Sequence, residues 1–331
     1  MTVSVFQKSP KGPQLIHVEN SLGLELEDIV WVDMVAPDNA EEAAVEAAFG
    51  IDAPTEAERA ALEESARFYI EQGTMVMNAT VMARVPVDPA TKPNAKNSFI
   101  QHHRQIVSFF LTKETLITVR TCPLRAFEVN AGRASANLAQ DTTPGEVLIS
   151  LVESLVERAA DFLSASATEL EGLNVRVLLG HQQVRLETVL RRLGQLGAGA
   201  SQTRDSLASL SRLIRFALGH TMRFKLPIER LHLLATDIDT LQRQAEAFKT
   251  DLTFSLDATL GLVSARQNDT LKAMAIVTLI FVPPTLIASA FGMNFEYMSI
   301  FKDPKGLWWA LGGMALSSLI IVSIARSGKW L

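Results

Sequence analysis

Two uncharged, strongly apolar runs near the C-terminus place the tightest limit on how this chain can fold. They cover residues 273–291 and 307–325, nineteen residues each, and fifteen residues separate them. Nineteen helical residues are enough to cross the ~30 Å hydrocarbon core of a bilayer. A buried core helix would explain one such run, whereas two in succession predict a membrane hairpin. Trp308 and Trp309 open the second run, as interfacial aromatic anchors do.

Basic residues flank the predicted hairpin on one side. Arg266 and Lys272 precede the first run, and Arg326 and Lys329 follow the second. The connecting loop carries no net charge. Because positively charged flanks stay in the cytoplasm, both termini are predicted to be cytoplasmic and the loop external.

The first run contains two adjacent prolines, Pro283 and Pro284. Proline has no backbone N–H, so each one removes the donor for a carbonyl one turn earlier. Such prolines are tolerated in a membrane helix when neighbouring helices or water supply new donors. Both prolines are therefore compatible with a transmembrane helix if such donors are present.

A helix–helix contact pattern leads into the first run. Residues 228–282 contain no proline and one glycine. Apolar residues recur there at spacings of three and four, close to a heptad pattern: Leu234, Ile238, Leu241, Ala245, Phe248, Leu252, Leu256, Leu260 and Val263. At ~1.5 Å per residue this segment would form a rod of roughly 80 Å, too long to pack against its own small domain alone. We predict a stalk helix within a symmetric assembly.

The first 142 residues have the composition of a soluble α/β domain. Strand-like segments cover 29–35, 74–85, 105–112 and 115–121, the last two as a hairpin. Helices are predicted over 39–49 and 54–69, and an exposed loop over 86–98. A helical region then begins at Thr143-Pro144 with a capping glutamate at Glu146, and breaks are predicted near 178–183 and 196–202.

These features predict an α/β N-terminal cytoplasmic domain followed by a long stalk helix and two C-terminal transmembrane helices. The net charge of −5 argues against a nucleic-acid partner. The predicted parts are the α/β domain 1–142, the helical cytoplasmic region 143–226, the stalk helix 227–272, the first span 273–291, the outer loop 292–306, the second span 307–325 and a basic cytoplasmic tail 326–331.

One face of the first span and of the turn before it, here called the mixed stripe, alternates mildly polar with apolar side chains. Its members recur at spacings of three and four: Asn268, Leu271, Met274, Thr278, Val282, Thr285 and Ser289. No carboxylate, histidine or thiol occurs between 270 and 291. Mg²⁺ gives up its waters reluctantly, so hydroxyls and amides suit a pore for a hydrated ion. A packing stripe, with Thr and Ser bonded to carbonyls of their own helix, is the alternative interpretation.

The external loop begins with an amide and a carboxylate in an otherwise apolar octapeptide, FGMNFEYM. Asn294 could bind the waters of an ion at the outer mouth. Glu296, repeated around a ring of subunits, would attract cations.

The segment VPPTLIASAFGMNFEYM (282–298) resembles the signature of the CorA family of divalent-cation transporters. The proline-free stalk, the two spans and the final Lys329-Trp330-Leu331 also resemble that family, so the resemblance covers the whole chain. It implies a funnel-shaped homopentamer in a bacterial inner membrane. It further implies passive uptake of Mg²⁺, Co²⁺ and Ni²⁺, without an organic cofactor.

The resemblance also implies roles for individual residues. Gly292, Met293 and Asn294 correspond to the selectivity motif. Asp257 corresponds to a stalk aspartate that binds regulatory Mg²⁺ in some relatives, although it could be a solvated acid. The residues of the mixed stripe, from Asn268 to Ser289, correspond to the pore-lining positions of the family.

Two alternatives stay open. Ser299 and Ile300 replace the Pro-Glu that relatives commonly have after the motif, and a zinc-transporting branch of the same superfamily is the second transport hypothesis. The other is a soluble enzyme or signalling module with a membrane anchor. The sequence has no P-loop, dinucleotide-binding or HExxH motif, so we predict a transporter and not an enzyme.

Overall fold

The computed structural model describes residues 3–8, 15–18, 28–52, 67–85, 101–135, 143–179, 185–293 and 305–327. The chain divides into two compact units, Met1–Ser255 and Leu256–Leu331, and each is described by itself. Most of the predicted helix 54–69, the predicted loop 86–98 and most of the predicted break at 178–183 lie outside the described residues.

The first unit contains a seven-stranded sheet with the order β2-β1-β3-β7-β6-β5-β4. The neighbours β3 and β7 run parallel, and the other neighbouring pairs are antiparallel. The strands are β1 Val3–Lys8, β2 Leu15–Val18, β3 Ile29–Val35, β4 Phe68–Glu71, β5 Thr74–Val85, β6 Gln101–Leu111 and β7 Leu116–Arg120.

Helices cover both faces of this sheet. Val45 of α1 packs with Val32 and Met34 on one face, whereas α2, α3, α4 and the start of α6 contribute to the core on the other. The helices are α1 Asn39–Phe49, α2 Arg125–Ser135, α3 Pro144–Asn174, α4 Leu186–Leu218, α5 Thr221–Phe224, α6 Ile228–Gly292 and α7 Gly306–Ser327, and a π-helical turn Val175–Leu179 extends α3.

A buried ion pair joins the two parallel strands. Arg120 donates to Asp33 through Nη2 at 2.8 Å and Nε at 3.2 Å, and both side chains are 5% exposed. Thr118 also donates to Asp33, and the Arg120 guanidinium lies 4.8 Å from the centre of the Phe127 ring. Charges buried in this way need a complete set of partners, and these contacts supply one.

Most of the predicted elements are confirmed. The structure has β3, β5 and α1 at the predicted residues and the β6–β7 hairpin, and the Thr143 cap with its glutamate at 146 opens α3. No strand lies in the described residues after 142. The end of the predicted helix 54–69 is wrong, because Phe68 and Tyr69 belong to β4. That strand pairs with β5 through Gln72-Gly73, both at positive φ as a tight hairpin requires.

The predicted break at 196–202 is also wrong, since α4 is continuous from Leu186 to Leu218. Its glycines permit close packing and do not interrupt the helix. A Cβ on Gly199 would overlap the Phe162 ring of α3, and one on Gly197 would lie 2.9 Å from the Leu252 side chain of α6.

The predicted long helix is confirmed as α6, but the first half of its apolar pattern is covered by the protomer itself. Leu234, Ile238, Ala245, Phe248 and Leu252 are all buried within the protomer. The first three belong to the same core cluster as residues of α3 and α4, and an Arg230–Glu153 ion pair links α6 to α3 at 2.8 Å. This half of the apolar pattern therefore packs against its own domain. In the second unit Leu260 is 43% exposed.

Two glycines of α4, Gly194 and Gly199, allow the effect of helix propensity on stability to be measured separately from the effect of packing. Gly194 has no heavy atom within 4 Å of an added Cβ, so Gly194→Ala should raise the free energy of unfolding by about 0.5–1 kcal/mol. Gly199→Ala should instead lower it by about 1–3 kcal/mol, because Phe162 must move. Thermal unfolding of the detergent-purified protein measures both. Equal stabilisation by the two variants would contradict the packing role.

Candidate ion-conducting site

The second unit contains two helices that are long and apolar enough to cross a membrane. One is the C-terminal part of α6 and the other is Gly306–Arg326 of α7. Only 6% of the most apolar stretch of each is buried within the protomer. Core helices of soluble proteins are mostly buried, so this exposure agrees with lipid or neighbouring subunits as the surroundings of both helices.

Small residues line the side of α7 that is covered by the protomer. Ala310 and Ala325 are 6% and 7% exposed, and Gly306 is buried. A Cβ on Gly313 would lie 3.9 Å from Ile287 of α6. Small residues allow the backbones of membrane helices to approach closely, and here Gly313 lies close to α6.

A side chain of α7 reaches one of the carbonyls affected by the prolines. Pro284 cannot donate to the Ile280 carbonyl, which lies four residues earlier. The Ser318 hydroxyl lies 3.4 Å from that carbonyl oxygen and donates to it. At this position the neighbouring helix α7 therefore supplies the donor that α6 itself lacks.

The mixed stripe lies on the opposite side of α6 from this contact. Ile280 stands two residues, or about 200°, from both Thr278 and Val282. Leu271, Met274 and Val282 are 55–62% exposed, and Asn268, Thr278, Thr285 and Ser289 are exposed as well. The whole stripe is therefore free, within one protomer, to face other subunits or an aqueous path.

The stripe's hydroxyls make the local hydrogen bonds that the packing interpretation expects. Thr278 donates to the Met274 carbonyl at 2.9 Å, and Thr285 donates to the Phe281 carbonyl at 2.7 Å. A hydroxyl that donates its hydrogen still has lone pairs on its oxygen. These threonines can therefore offer acceptor oxygens to the waters of a cation, and the local bonds hold each oxygen in place.

The predicted selectivity motif begins at the last residue of α6. Gly292 ends the helix, and Met293 follows it with a 52% exposed side chain. The Met293 N–H donates to the Ala290 carbonyl at 3.4 Å. Asn294 and Glu296 lie outside the described residues.

The predicted regulatory residue, Asp257, is exposed on α6. No group of three or more His, Cys, Asp or Glu residues able to hold a metal occurs within the described part of the chain. The structure does not bring Asp257 together with the stripe, which starts eleven residues later.

The sequence interpretation missed the contact made by Ser318. Two adjacent serines, Ser317 and Ser318, interrupt the apolar residues in the middle of α7. Their presence opposite a proline pair was the available signal. The register of α7 against α6, which the sequence does not give, decides which of them meets the Ile280 carbonyl.

Comparison with known proteins agrees with this architecture. The family model described as "CorA-like Mg2+ transporter protein" matches residues 27–326. The chain belongs to the CorA family. The magnesium transport protein CorA of Salmonella typhimurium is 29% identical, and the alignment covers 99% of this chain and 100% of that protein.

Solved structures share the fold of this CorA-family chain. The complete CorA magnesium transporter from Methanocaldococcus jannaschii has a TM-score of 0.69 at 18% identity, covering 100% of this chain and 99% of that one. The ZntB cytoplasmic domain from Vibrio parahaemolyticus has a TM-score of 0.59 at 9% identity, covering 80% of this chain and 100% of that one. Both likenesses concern the fold.

Family membership makes this chain a CorA-type Mg²⁺ transporter and not an enzyme. Mg²⁺ is its transported substrate, and the two apolar helices provide its membrane part. The α/β domain, the long helix and the C-terminal helix match the predicted fold class.

Thiol labelling separates the mixed stripe from the rest of the helix surface. Cys122 is first replaced by alanine, so that the introduced cysteine is the only thiol. Burial raises the pKa of the Cys122 thiol, and the positive charge of Arg120 lowers it. Ser289→Cys should then react with a membrane-impermeant thiol reagent at least about tenfold faster than Ala288→Cys, because a thiol in hydrocarbon forms little thiolate. Both residues are exposed in the protomer and lie at the same depth. Similar rates for the two positions would show that the stripe does not face water.

Proposed function

We propose that this chain forms a homopentameric channel through which Mg²⁺ enters the cell passively. One hairpin cannot enclose a path, so several copies must surround an axis. The observation that carries the proposal is the mixed stripe, which lies on the face of α6 opposite the contact with α7 and is exposed along its length. Moving two charges inward through 100 mV yields roughly 4–5 kcal/mol, so the membrane potential suffices as the driving force.

The stripe residues line the pore in this proposal. They present amide, hydroxyl and apolar groups and no carboxylate. Stripping Mg²⁺ of its waters would require anionic oxygen ligands. A hydrated ion needs only hydrogen-bond acceptors and sufficient width, and the oxygens of Thr278 and Thr285 are held in place for such contacts.

Selection takes place at the outer mouth in this proposal. Gly292, Met293 and Asn294 form the selectivity motif, in which the Asn294 amide binds water of the ion's hydration shell. Glu296 raises the local cation concentration at the rim. Gly292 supports this arrangement because its surroundings are open at the end of α6.

We place the protein in a bacterial inner membrane with both termini in the cytoplasm. The basic residues Arg266, Lys272 and Arg326 flank the two spans on the proposed cytoplasmic side. Trp308 and Trp309, which are 72% and 70% exposed, lie in the first turn of α7 at the opposite interface.

Co²⁺ and Ni²⁺ are further proposed substrates, since they are divalent ions that can also pass with their waters. Zinc sites in proteins use thiolate, imidazole or carboxylate ligands. Residues 273–291 contain none of these groups, which favours Mg²⁺ over Zn²⁺ as the physiological ion.

Uptake by proteoliposomes without ATP tests the proposal. Wild-type protein should take up Mg²⁺ when a potential is imposed, and Asn294→Ala should abolish uptake, a loss of at least about a hundredfold by analogy with other lost site donors. Native mass spectrometry is the control, and both proteins should be pentamers. Normal uptake by Asn294→Ala would refute the role of the amide. Uptake of Zn²⁺ in preference to Mg²⁺ would favour the zinc hypothesis.

Asp257 is the proposed regulatory residue. It is exposed on α6, and the corresponding residues of neighbouring subunits would repel one another. Cytoplasmic Mg²⁺ bound between them would hold the helices together and keep the pore closed. A modest preference for the closed state at each of five sites adds up to a large shift in population.

Asp257→Ala should therefore weaken inhibition by internal Mg²⁺, with a shift of about tenfold in the inhibitory concentration. Millimolar Mg²⁺ should protect the long helix of the wild type, but not of the variant, from protease. Asp269→Ala is the matched control, because Asp269 is also exposed on α6 and pairs with Lys272. If Asp257→Ala and Asp269→Ala behave alike, Asp257 is a solvated acid.

A further inference from the structure

Pro284 leaves a carbonyl without its helical donor in the middle of the first span. In an α-helix the N–H of residue 284 would bond to the carbonyl of Ile280. No water is available within hydrocarbon, so a carbonyl left without a donor there is costly. The chain remains helical through Pro283 and Pro284, which means that the defect is accommodated without ending the helix.

Hydroxyl groups near this site bond in two ways. Thr278, Thr285 and Ser317 each donate to a carbonyl of their own helix, and Ser317 does so to Met314 at 2.8 Å. This is the ordinary behaviour of Ser and Thr in membrane helices. Ser318 instead donates across to α6, to the Ile280 carbonyl.

We infer that Ser318 is a positioning residue for the ion pathway: its hydroxyl replaces the donor that Pro284 removes and fixes the rotation of α6 against α7. The inference rests on the proposed function for its effect on transport. Val282 and Thr285 follow Ile280 within two turns and lie on the stripe. A rotation of this segment would turn both side chains away from the path.

Packing around the contact supports this role. Gly313 lies next to Ile287, one turn beyond the prolines, so the two helices approach closely on both sides of the proline pair. The half-buried Ser318 occupies the covered face of α7. Its bond of 3.4 Å is longer than the ~2.7–2.8 Å of a typical hydroxyl bond. We therefore expect a moderate effect on transport and no collapse of the fold.

The test combines single variants with a double-mutant cycle in the full-length protein. Ser318→Ala should lower the maximal rate of Mg²⁺ uptake about three- to tenfold and leave the half-saturating concentration unchanged, since the loop that meets the ion first is intact. Ser318→Thr keeps the hydroxyl and should restore the rate. Ser317→Ala is the matched control and should behave as the wild type, because its bond is confined to α7.

The second part of the test uses variants of the two prolines. Pro284→Ala restores an N–H for the Ile280 carbonyl, so Ser318→Ala should have no further effect in that background. Pro283→Ala restores an N–H one position earlier, which serves Leu279, and Ser318→Ala should still be harmful there. Thermal unfolding in detergent should show the same pattern, with a shift of about 1–4 °C for Ser318→Ala in the wild-type and Pro283→Ala backgrounds only.

Equal effects of Ser318→Ala in the Pro284→Ala and Pro283→Ala backgrounds would overturn the inference. A Ser318→Ala protein with wild-type uptake and wild-type unfolding would overturn it too. If wild-type proteoliposomes take up no Mg²⁺, the proposed function fails, and the unfolding cycle still decides whether Ser318 serves the Ile280 carbonyl.

Discussion

Hydrocarbon offers no hydrogen-bond partner to a polypeptide backbone, and the second unit of this protein is organised around that constraint. Its two apolar segments are helices, in which the backbone groups bond within the segment. Where Pro283 and Pro284 interrupt that pattern, the Ser318 hydroxyl of the neighbouring helix reaches the Ile280 carbonyl. Threonine hydroxyls on the other face bond to their own helix. One side of α6 is thereby committed to α7, and the opposite side stays available to other subunits and to ions.

The first unit follows a different rule, because its polar groups are buried within protein and are satisfied by specific partners. The Asp33–Arg120 pair joins β3 and β7 and has Thr118 and Phe127 as further contacts. Asn130 of α2 accepts from Ser150 at 3.0 Å and donates to Ser154 at 3.0 Å, which ties α2 to α3. These networks fix the register of neighbouring elements, and apolar packing on both sheet faces supplies most of the stabilisation.

The sequence predicted well the elements whose own composition decides their structure. The strand Ile29–Val35 is apolar except for Asp33 and almost entirely buried, and the helix Asn39–Phe49 is rich in alanine and glutamate, so local and tertiary preferences agree. The prediction failed where tertiary contacts override local preference. Gly197 and Gly199 favour a break in isolation, but the helix is continuous because they fit against Leu252 and Phe162. The short strand at Phe68 forms because it pairs with β5, and its own residues do not identify that partner. The register that brings Ser318 to the Ile280 carbonyl is likewise set by the packing of α7 on α6, which neither segment shows by itself.

The burial of Leu234–Leu252 has a consequence for biosynthesis. These residues complete the core of the first unit, and they precede the first apolar span in the chain. A ribosome therefore releases every residue of that core before it releases the segment that must enter lipid. The first unit can therefore begin to fold while the spans are still being synthesised. Because α6 begins in the first unit, the first span reaches the membrane machinery as the continuation of a helix whose N-terminal part packs in that unit.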